Sequence, residues 1–490
     1  MKNTHILLIA LATVSSVSAC RKRRPEANAN AAQAQPSGTP SATPETPAVP
    51  TTPGVTGANS NAASSVRSTP PAPATGCPAL IANAQLGAGT VHNRDITLNE
   101  TWSLEGSPHR LPDGALIGDN VTLTLAPCTV VLVGHDQPMV VSSGGALVSV
   151  GDAEHPIRIG SDKIDPQPGD WDGLTFEEQS RSTSRLAFTT LEHGGRETGE
   201  RPACLHNDRA RLSVQHVTLR ACRAYGVSVE NAGSFSDDSV DLQVHEQVLG
   251  GASHGAAVVF YQADAVRTLP TGSYDRNEKS EILISGIGPI VTASGTWRNP
   301  GVRYVIAPDI DLRVQGAGAP VLTIAPGNTL AFGVGSNLTA GWDTEGGVVV
   351  DGSNEAGRIT LTAASSDPSA GDWKGVFLGE RVMRSRTKFN FVTIAYAGRD
   401  DSTSAPCPWN DNEDDGALYL STPLPAQAIS HVTFTNLPEN TAAIVRAWYT
   451  GTLVSYTAPE LGNDFAQAGT TCHQSPGRNG STCPEPARCD

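Results

Sequence analysis

Short runs of alternating apolar and polar residues recur along the chain between Thr101 and Val445. Each run has four to seven residues and is rich in Val, Ile, Leu, Thr and Phe. Gly, Asp, Asn or Pro separates the runs, which is typical of β-strands joined by turns. We find no convincing amphipathic helix of ordinary length. The pattern therefore predicts an all-β protein.

The pattern occurs twice. Segments of the first copy match segments of the second in the same order, and the offset between them grows from 195 to 215 residues where loops differ in length. A monotonic series of this kind indicates an internal duplication. The matching segments begin at Glu100 and Gly295, Leu123 and Leu322, Pro166 and Pro368, Arg185 and Lys388, and Gln215 and Ser430.

Two architectures fit strands that lack crossover helices and tight Asn-Gly hairpin turns: a pair of β-sandwiches or a β-solenoid. Gly and Asn between the runs, small side chains and an aromatic content of only 5 % favour the solenoid. In a solenoid, each coil buries its apolar face against its neighbours.

The second copy reads TW…GVRYVI…LTIAPGNTLAFG…GGVVVDG…RITLTA…GDWKGVFL…FVTIAYAG. This succession resembles the right-handed parallel β-helix repeat proteins of bacterial envelopes, and the resemblance covers both copies except roughly Gly233 to Ile282. It implies a right-handed parallel β-helix, or β-solenoid, in two homologous halves. Cys128 stands where the second copy has Gly327, which suggests a disulfide that locks this turn, with Cys77 as a candidate partner.

The most similar pieces of the two copies are PQPGDWDGLTF at Pro166–Phe176 and PSAGDWKGVFL at Pro368–Leu378. Asp170 and Asp372 are too far apart in the repeat to act as one carboxylate pair. Gly and Asp suit a turn, and the apolar alternation that follows suits a strand with one buried face. We interpret each piece as a coil corner, used twice.

The first twenty residues have the layout of a bacterial secretory signal, with Lys2, an apolar run over Ile6–Val14 and then VSAC ending at Cys20. The run is shorter than the ~20 residues that span a membrane. VSAC resembles the lipobox of bacterial lipoproteins, which implies that Cys20 carries a diacylglyceryl group and acyl chains such as palmitate. An ordinary signal peptide is the alternative. Arg21 in place of Asp favours the outer membrane.

Residues 21–76 form a stretch with ten prolines and no aromatic side chain. Such a stretch cannot bury enough apolar surface to fold, so we predict a disordered tether. As a flexible coil it spans about 40 Å. The predicted organisation is a lipoprotein signal peptide (1–19), the lipidated Cys20 with its tether (20–76), a first β-helix half (77–240), an irregular connecting segment (241–282), a second half (283–457) and a cysteine-containing tail (458–490).

The chain has a net charge of -15, and because residues 1–76 contribute +4, residues 77–490 carry -19. This charge argues against nucleic acid as a partner, and against polyanionic glycans unless cations offset the repulsion. The expected partners are the membrane, through the N-terminal lipid, and an envelope polysaccharide or a surface protein.

Nine cysteines become eight once Cys20 is assigned to lipid, and an even number suits disulfides in an exported protein. The local pairs Cys204 with Cys222 and Cys483 with Cys489 are favoured. Connectivity is otherwise open among eight cysteines. The remaining candidates are Cys77, Cys128, Cys407 and Cys472. The tight paired spacings of a zinc site are absent from the sequence.

A catalytic site has little support in the sequence. SDDSV at Ser236–Val240 is similar to the paired aspartates of polygalacturonases, but the GHG and RxK elements of those enzymes are malformed or too distant. His193 is a candidate base, yet the second copy has Tyr396 there. His216 and His431 recur before Val-Thr and suit packing or hydrogen bonds at corners. We therefore assign no catalytic residue.

An acidic loop, NDNEDDG, is the one candidate cation site. Asp411, Glu413 and Asp415 alternate before Gly416, as in the front half of a calcium loop. The twelfth position is Thr422, which lacks the bidentate carboxylate of an EF-hand. Calcium is thus possible, and no other cofactor is expected.

Sugar recognition needs aromatic platforms, for which Trp409 and Trp448 with Tyr449 are the candidates. The sequence predicts a lipid-anchored cell-envelope protein that is a non-enzymatic surface scaffold, adhesin or glycan-binding module. A polysaccharide lyase or glycoside hydrolase on the same fold is the alternative.

Overall fold

A computed structural model describes most of the chain after Gln85, together with Cys77. The signal peptide, Cys20 and the tether lie outside the described residues, and the described ones belong to a compact unit spanning Pro73–Asp490. The described residues are 77, 86–178, 180–196, 202–251, 255–286, 288–398, 416–439, 441–446, 454–468, 470–474 and 487–488.

The described part of the chain is a parallel β-helix, as the sequence predicted. Every strand pair in it is parallel except the last one, β35 with β36. The first half contains β1 (Thr90–Val91), β2 (Glu100–Trp102), β3 (His109–Leu111), β4 (Ala115–Ile117), β5 (Thr122–Leu125), β6 (Val130–Val133), β7 (Pro138–Val141), β8 (Ala146–Val150), β9 (Ile157–Ser161), β10 (Gly173–Phe176), β11 (Arg185–Ala187), β12 (Thr189–Glu192), β13 (Ala203–Asp208), β14 (Arg211–Arg220), β15 (Tyr225–Glu230) and β16 (Ser234–Phe235).

The chain continues through a middle segment into the second half. The middle segment contains β17 (Val240–His245), β18 (Ala256–Phe260), β19 (Gly272–Ser273), β20 (Glu281–Ile284) and β21 (Ile290–Val291). The second half contains β22 (Gly295–Trp297), β23 (Arg303–Ile306), β24 (Asp311–Val314), β25 (Val321–Ile324), β26 (Thr329–Phe332), β27 (Asn337–Ala340), β28 (Gly347–Asp351), β29 (Ile359–Ala363), β30 (Gly375–Leu378), β31 (Lys388–Ala395), β32 (Gly416–Leu420), β33 (Ile429–Thr435), β34 (Ala442–Arg446), β35 (Thr470–Gln474) and β36 (Ala487–Arg488).

Short 3₁₀ turns are the helical elements among the described residues. They span Leu104–Gly106, Ala263–Thr268, Glu355–Gly357, Arg384–Arg386, Ala426–Ala428 and Pro459–Leu461.

Columns of apolar side chains fill the interior of the coils. One column runs through Met139, Leu174, Leu205, Val227 and Val258, which are paired in register on successive strands and have no exposed surface. Each such side chain contributes about 1.5–3 kcal/mol by burial. Because a single coil cannot enclose its own apolar face, the stacking of coils supplies the core.

A single residue in the left-handed conformation bends the chain between two walls of the helix. Phe188, His216 and Asp241 occupy this corner on successive coils, with φ of 47°, 53° and 54°. Phe391 and His431 occupy it in the second half, both with φ of 52°. In β14 the residues before His216 pair with β11 and those after it pair with β12, so one strand serves two walls.

The two halves correspond strand for strand. Strands β2 to β10 of the first half correspond to strands β22 to β30 of the second half. For example, β9 pairs with β12 in the same register in which β29 pairs with β31. One continuous wall runs β4, β7, β10, β13, β15, β18, β20, β23, β26 and β29. Since β10 and β29 share this wall, whereas β9 and β10 lie in different walls, the second half is turned by one face about the helix axis.

The sequence analysis assigned residues 241–282 to an irregular connecting segment. Strands β17, β18, β19 and β20 lie there, and Val258 and Ile282 extend the interior column. The prediction rested on the segment's lack of a match in either copy. A segment that lies between two coils can form strands even if its sequence does not match the repeat. The neighbouring coils provide backbone hydrogen bonds and an apolar surface for it.

Two disulfides tie the first half together. Cys77 is bonded to Cys128 at the start of the helix, and Cys204 is bonded to Cys222 in the core. Cys472 in β35 is also disulfide-bonded. Cys407, Cys483 and Cys489 lie outside the described residues. In the described part of the tail, β35 continues the wall of β34, and the antiparallel β36 ends the parallel run.

Candidate functional site

The two GDW pieces build the same corner twice. Trp171 and Trp373 are fully buried, and each donates its indole N–H over 2.8 Å to a backbone carbonyl, that of Glu192 or of Ala395. The aspartate of each piece accepts a hydrogen bond from the amide three residues earlier, at 2.8 Å for Asp170 and 3.0 Å for Asp372. The interpretation as a coil corner agrees with this geometry.

Glycine is required where the strand after this corner begins. Gly173 has φ of 107°, and a Cβ there would lie 2.1 Å from the carbonyl oxygen of Ala203 on the next coil. Gly375 occupies the equivalent place with φ of 128°. The glycine that recurs in both pieces therefore serves close coil stacking.

Among the described residues of the two corners, only those of the first form a buried charge cluster. The Glu192 carboxylate, 3 % exposed, accepts from Arg158 Nε at 2.5 Å and from Arg220 Nη2 at 2.6 Å. Nearby, Asp170 is held by Lys163 Nζ at 2.7 Å and by Ser161 Oγ at 2.9 Å. These contacts hold both carboxylates ionised.

Burial and charge act in opposite directions on Glu192. Burial raises its pKa, but the charge of Arg158 and hydrogen bonds from Arg220 and Arg158 outweigh that effect and hold the pKa below its usual value. Burial lowers the pKa of His193, and its Nδ1 makes no hydrogen bond. A carboxylate with a depressed pKa is poorly suited to donate a proton.

The second corner replaces this cluster with neutral residues. Register places Thr360, Ala395 and Thr435 at the positions of Arg158, Glu192 and Arg220. Tyr396 stands for His193, and both have φ near 60°. Because the described part of the second corner forms with neutral residues at these three positions, the cluster is not a requirement of the turn.

A polar groove lies beside the corner that His216 occupies. It consists of two adjoining cavities of about 410 Å³ and 290 Å³ that share Ser236. We call it the Ser236 groove. The larger cavity is lined by Val148, Ser182, Thr183, Arg185, Ser213, Ser236 and Asp238. The smaller is lined by Phe235, Ser236, Asp237, Ser239, Arg267, Thr268, Ser294, Gly295, Thr296 and Arg298.

The groove crosses successive coils. Arg185 in β11 pairs with Ser213 in β14, Arg211 in β14 pairs with Ser234 in β16, and the amide of Phe235 donates to Thr268 Oγ1 at 3.1 Å. Since coils stack at the ~4.8 Å spacing of paired strands, the four steps from β11 to β22 span about 19 Å along the axis. The groove thus has the length of an extended chain and not of one small molecule.

The two aspartates of SDDSV lie in this groove and are already engaged. Asp238 accepts from Ser236, from Ser213 Oγ at 2.9 Å and from Gln215 Nε2 at 3.0 Å. Hydrogen bonds from Ser236 and Ser213 lower the pKa of Asp238. Asp237 is 95 % exposed and pairs with Arg211 at 2.9 Å. The acid in glycosidic-bond hydrolysis needs a raised pKa, which the contacts of Asp238 do not provide.

Arg185 has no carboxylate partner among the described residues, and the repeat explains why. Its counterpart Lys388 binds Asp351 Oδ2 at 2.8 Å. The position of Asp351 is occupied in the first half by Val150, which is two residues beyond Val148 in the strand that pairs with Arg185. The substitution leaves the Arg185 guanidinium exposed to the groove.

Arg267 and Arg298 likewise lie exposed in the smaller cavity without an ion pair to any described residue. The aliphatic part of Arg267 covers Gly295, where a Cβ would lie 2.6 Å from its Cδ. Thr268, Ser294 and Thr296 line the same cavity as the two arginines.

The other predicted site residues are not among those that line this groove. His216 stacks on Phe188 at 4.5 Å and binds Asp241 at 2.8 Å, and His431 stacks on Phe391 at 4.3 Å, so both histidines serve the corner. Asp411, Glu413 and Asp415 lie outside the described residues, as do Trp409, Trp448 and Tyr449. Within the described ranges, His, Cys, Asp and Glu form no cluster of metal-ligand type.

Comparison with known proteins does not extend these observations. No protein-family model, curated protein or solved structure matches the chain. Among the residues that the structure describes, no helix is long and apolar enough to span a membrane.

Proposed function

We propose that this protein is a lipid-anchored, exported component of the bacterial cell envelope whose β-helix binds a glycan in the Ser236 groove without cleaving it. The groove carries the proposal. It combines hydroxyl and guanidinium donors along about 19 Å, which suits an extended, hydroxyl-rich chain. Its two aspartates are engaged by donors, which favours recognition over proton transfer.

Export and anchoring rest on the N-terminal sequence and on disulfide bonding. Disulfides persist in oxidising compartments, and Cys77–Cys128 and Cys204–Cys222 are of this kind. Cys20 in VSAC is the proposed site of lipidation, with the membrane as partner and the outer membrane as location.

Fatty-acid labelling tests the anchor. The wild-type chain should incorporate labelled palmitate and sediment with outer membranes, whereas Cys20→Ala should lose both properties. Cys77→Ala is the matched control, because it changes a cysteine of the β-helix and should leave labelling intact. A Cys20→Ala chain that is still labelled would refute the lipid anchor.

Affinity electrophoresis against a panel of envelope polysaccharides tests binding. The full-length chain carrying Cys20→Ala should be retarded by at least one of them. Ser236→Tyr places a large side chain at the residue that lines both cavities. It should block the groove and abolish the retardation. Ser385→Tyr, at an exposed turn of the second half, is the control and should bind normally. Equal binding by both variants would show that the groove is not the site.

A polysaccharide lyase or glycoside hydrolase is the second candidate. Asp238 and Arg185 line the same cavity, so that a carboxylate and a cation are both available to one bound substrate, as such enzymes require. Incubation with the same panel distinguishes the two functions. Unsaturated uronides or new reducing ends, lost in Asp238→Asn, would establish the enzyme and overturn the non-enzymatic proposal.

A further inference from the structure

Unpaired arginines gather in the Ser236 groove of an otherwise acidic chain. Residues 77–490 carry a net charge of -19, and carboxylates engage seven other described arginines of the first half. Those seven are Arg94, Arg110, Arg158, Arg196, Arg209, Arg211 and Arg220. The Ser236 groove is lined by three further exposed arginines that have no carboxylate partner among the described residues, which makes the groove locally positive in an acidic chain.

The lack of a carboxylate beside Arg185 has a specific origin in the first half. At the equivalent place in the second half, Asp351 neutralises Lys388, and Asn390 Nδ2 also binds Asp351 at 2.9 Å. Val150 removes that carboxylate beside Arg185. Arg267 belongs to the middle segment, which has no copy in the repeat. The charges of Arg185 and Arg267 are therefore features that the second half lacks, whereas Arg298 follows β22 at the start of the second half.

We propose that the groove recognises an acidic glycan, one whose sugar rings carry carboxylate or sulfate groups, through Arg185, Arg267 and Arg298. Guanidinium groups bind such oxyanions by two parallel hydrogen bonds. Serine and threonine hydroxyls beside Arg267 and Arg298 can bind the ring hydroxyls. Arginine supplies the positive charge, so binding does not require a bound cation. This inference rests on the glycan-binding function proposed above.

The spacing of the arginines matches a chain that runs along the helix axis. Arg185 lies in the larger cavity, whereas Arg267 and Arg298 lie in the smaller one, beyond the Ser236 wall. A glycan with an acidic group at intervals meets a cation in each cavity. Asp237 lines the smaller cavity and Asp238 the larger one, where they repel acidic groups placed out of register and so restrict the position of the chain.

Titration calorimetry with three matched oligosaccharides tests the inference. The probes are a glucose oligomer, the corresponding glucuronic acid oligomer and the corresponding glucose oligomer sulfate, each titrated in EDTA into the full-length Cys20→Ala chain. At least one anionic oligomer should bind, about tenfold or more tightly than the neutral one, and its affinity should fall with salt. The preferred anion identifies the acidic group as carboxylate or sulfate.

Substitutions of single arginines test which of them bind the acidic groups of the glycan. Arg185→Gln, Arg267→Gln and Arg298→Gln should each weaken anionic binding about fivefold to tenfold, and the triple variant should abolish it. Arg384→Gln changes an exposed arginine of the second half and should have no effect. Val150→Asp should weaken binding as much as Arg185→Gln does, because it restores the carboxylate of the second half. Asp351→Val is its matched control.

Two outcomes would overturn the inference. Neutral and anionic oligomers of equal affinity, with binding still lost in Ser236→Tyr, would leave the glycan site in place but refute its acidic specificity. Anionic binding that survives in the triple arginine variant, or that needs added calcium, would show that the three arginines are not the cations.

Discussion

The two GDW corners have the same backbone but are stabilised differently. Both bury a tryptophan whose N–H binds a backbone carbonyl at 2.8 Å. Around Trp171 there is an ion-pair cluster and the disulfide Cys204–Cys222. Around Trp373 there are neutral side chains, with Ala417 and Leu437 at the positions of the two cysteines.

This difference separates what the fold needs from what one half has added. The shared elements, Gly, Asp and Trp, build the turn. The charged cluster is not needed for the turn, since Thr360, Ala395 and Thr435 replace it without altering the hydrogen bonds of the backbone. A buried ion pair is weak support for stability by itself, but removing one partner is costly. The comparison thus predicts unequal responses to matched substitutions.

The largest effect is expected from Glu192→Ala. It leaves the Arg158 guanidinium buried without the Glu192 carboxylate, which should lower the free energy of unfolding by about 3–5 kcal/mol in urea denaturation. The triple variant Arg158→Thr, Glu192→Ala, Arg220→Thr installs the second-half residues. The triple variant should have a higher free energy of unfolding than Glu192→Ala. A triple variant no more stable than Glu192→Ala would show that the cluster is essential to the corner.

Replacing the disulfide is expected to come next. Cys204→Ala with Cys222→Leu introduces the residues of the second half and should cost about 3 kcal/mol, because a cross-link closing 18 residues no longer restricts the unfolded chain. Thermal unfolding measures the loss. Hydrogen exchange should show faster opening of β13 and β15 but not of β32 and β34. Uniform destabilisation of both halves would contradict a local role.

Matched tryptophan substitutions should have similar, smaller effects. Trp171→Phe and Trp373→Phe each leave a buried carbonyl without its donor, at a cost of about 1–3 kcal/mol. Urea denaturation of the two variants side by side is the measurement. If one substitution were neutral and the other costly, the two corners would not be equivalent.

The smallest effect concerns pH. The folded pKa of His193 lies below its usual 6.5, so the unfolded chain takes up the proton first and stability should fall as pH drops below 6.5. His193→Tyr should flatten this slope between pH 7 and 5. Glu192 acts in a separate window, because its folded pKa is depressed and its contribution is lost only below 4.5. If the dependence of stability on pH were unchanged in His193→Tyr, a group other than His193 would be responsible for it.

The fold and the corner were predictable because they repeat. Equivalent apolar positions and the GDW pieces align between the copies, so turn chemistry and strand register can be inferred from either one. The strands of the middle segment could not be inferred in this way, because that segment has no second copy. The charge cluster was missed because Arg158, Glu192 and Arg220 come from different strands, 28 to 34 residues apart, with no local motif.

The groove was predicted only in part. SDDSV is similar to a motif of polygalacturonases, and the structure places its Asp238 in a groove with Arg185. The sequence analysis did not identify the three arginines. What distinguishes them is the lack of a carboxylate partner, and the stacking of the coils determines which side chains become partners. The replacement of Asp351 by Val150 at equivalent positions was visible in the sequence and is the signal that could have found Arg185.

The disulfide between Cys77 and Cys128 determines how the protein bears mechanical load. A pull transmitted from residues upstream of Cys77 enters the β-helix at Cys128 through a covalent bond. Strands β1 to β5 lie inside the loop of 51 residues that this bond closes, so they carry none of the tension and cannot be peeled away first. Under reducing conditions the same pull would act directly on the edge strand β1 and unzip the coils one at a time.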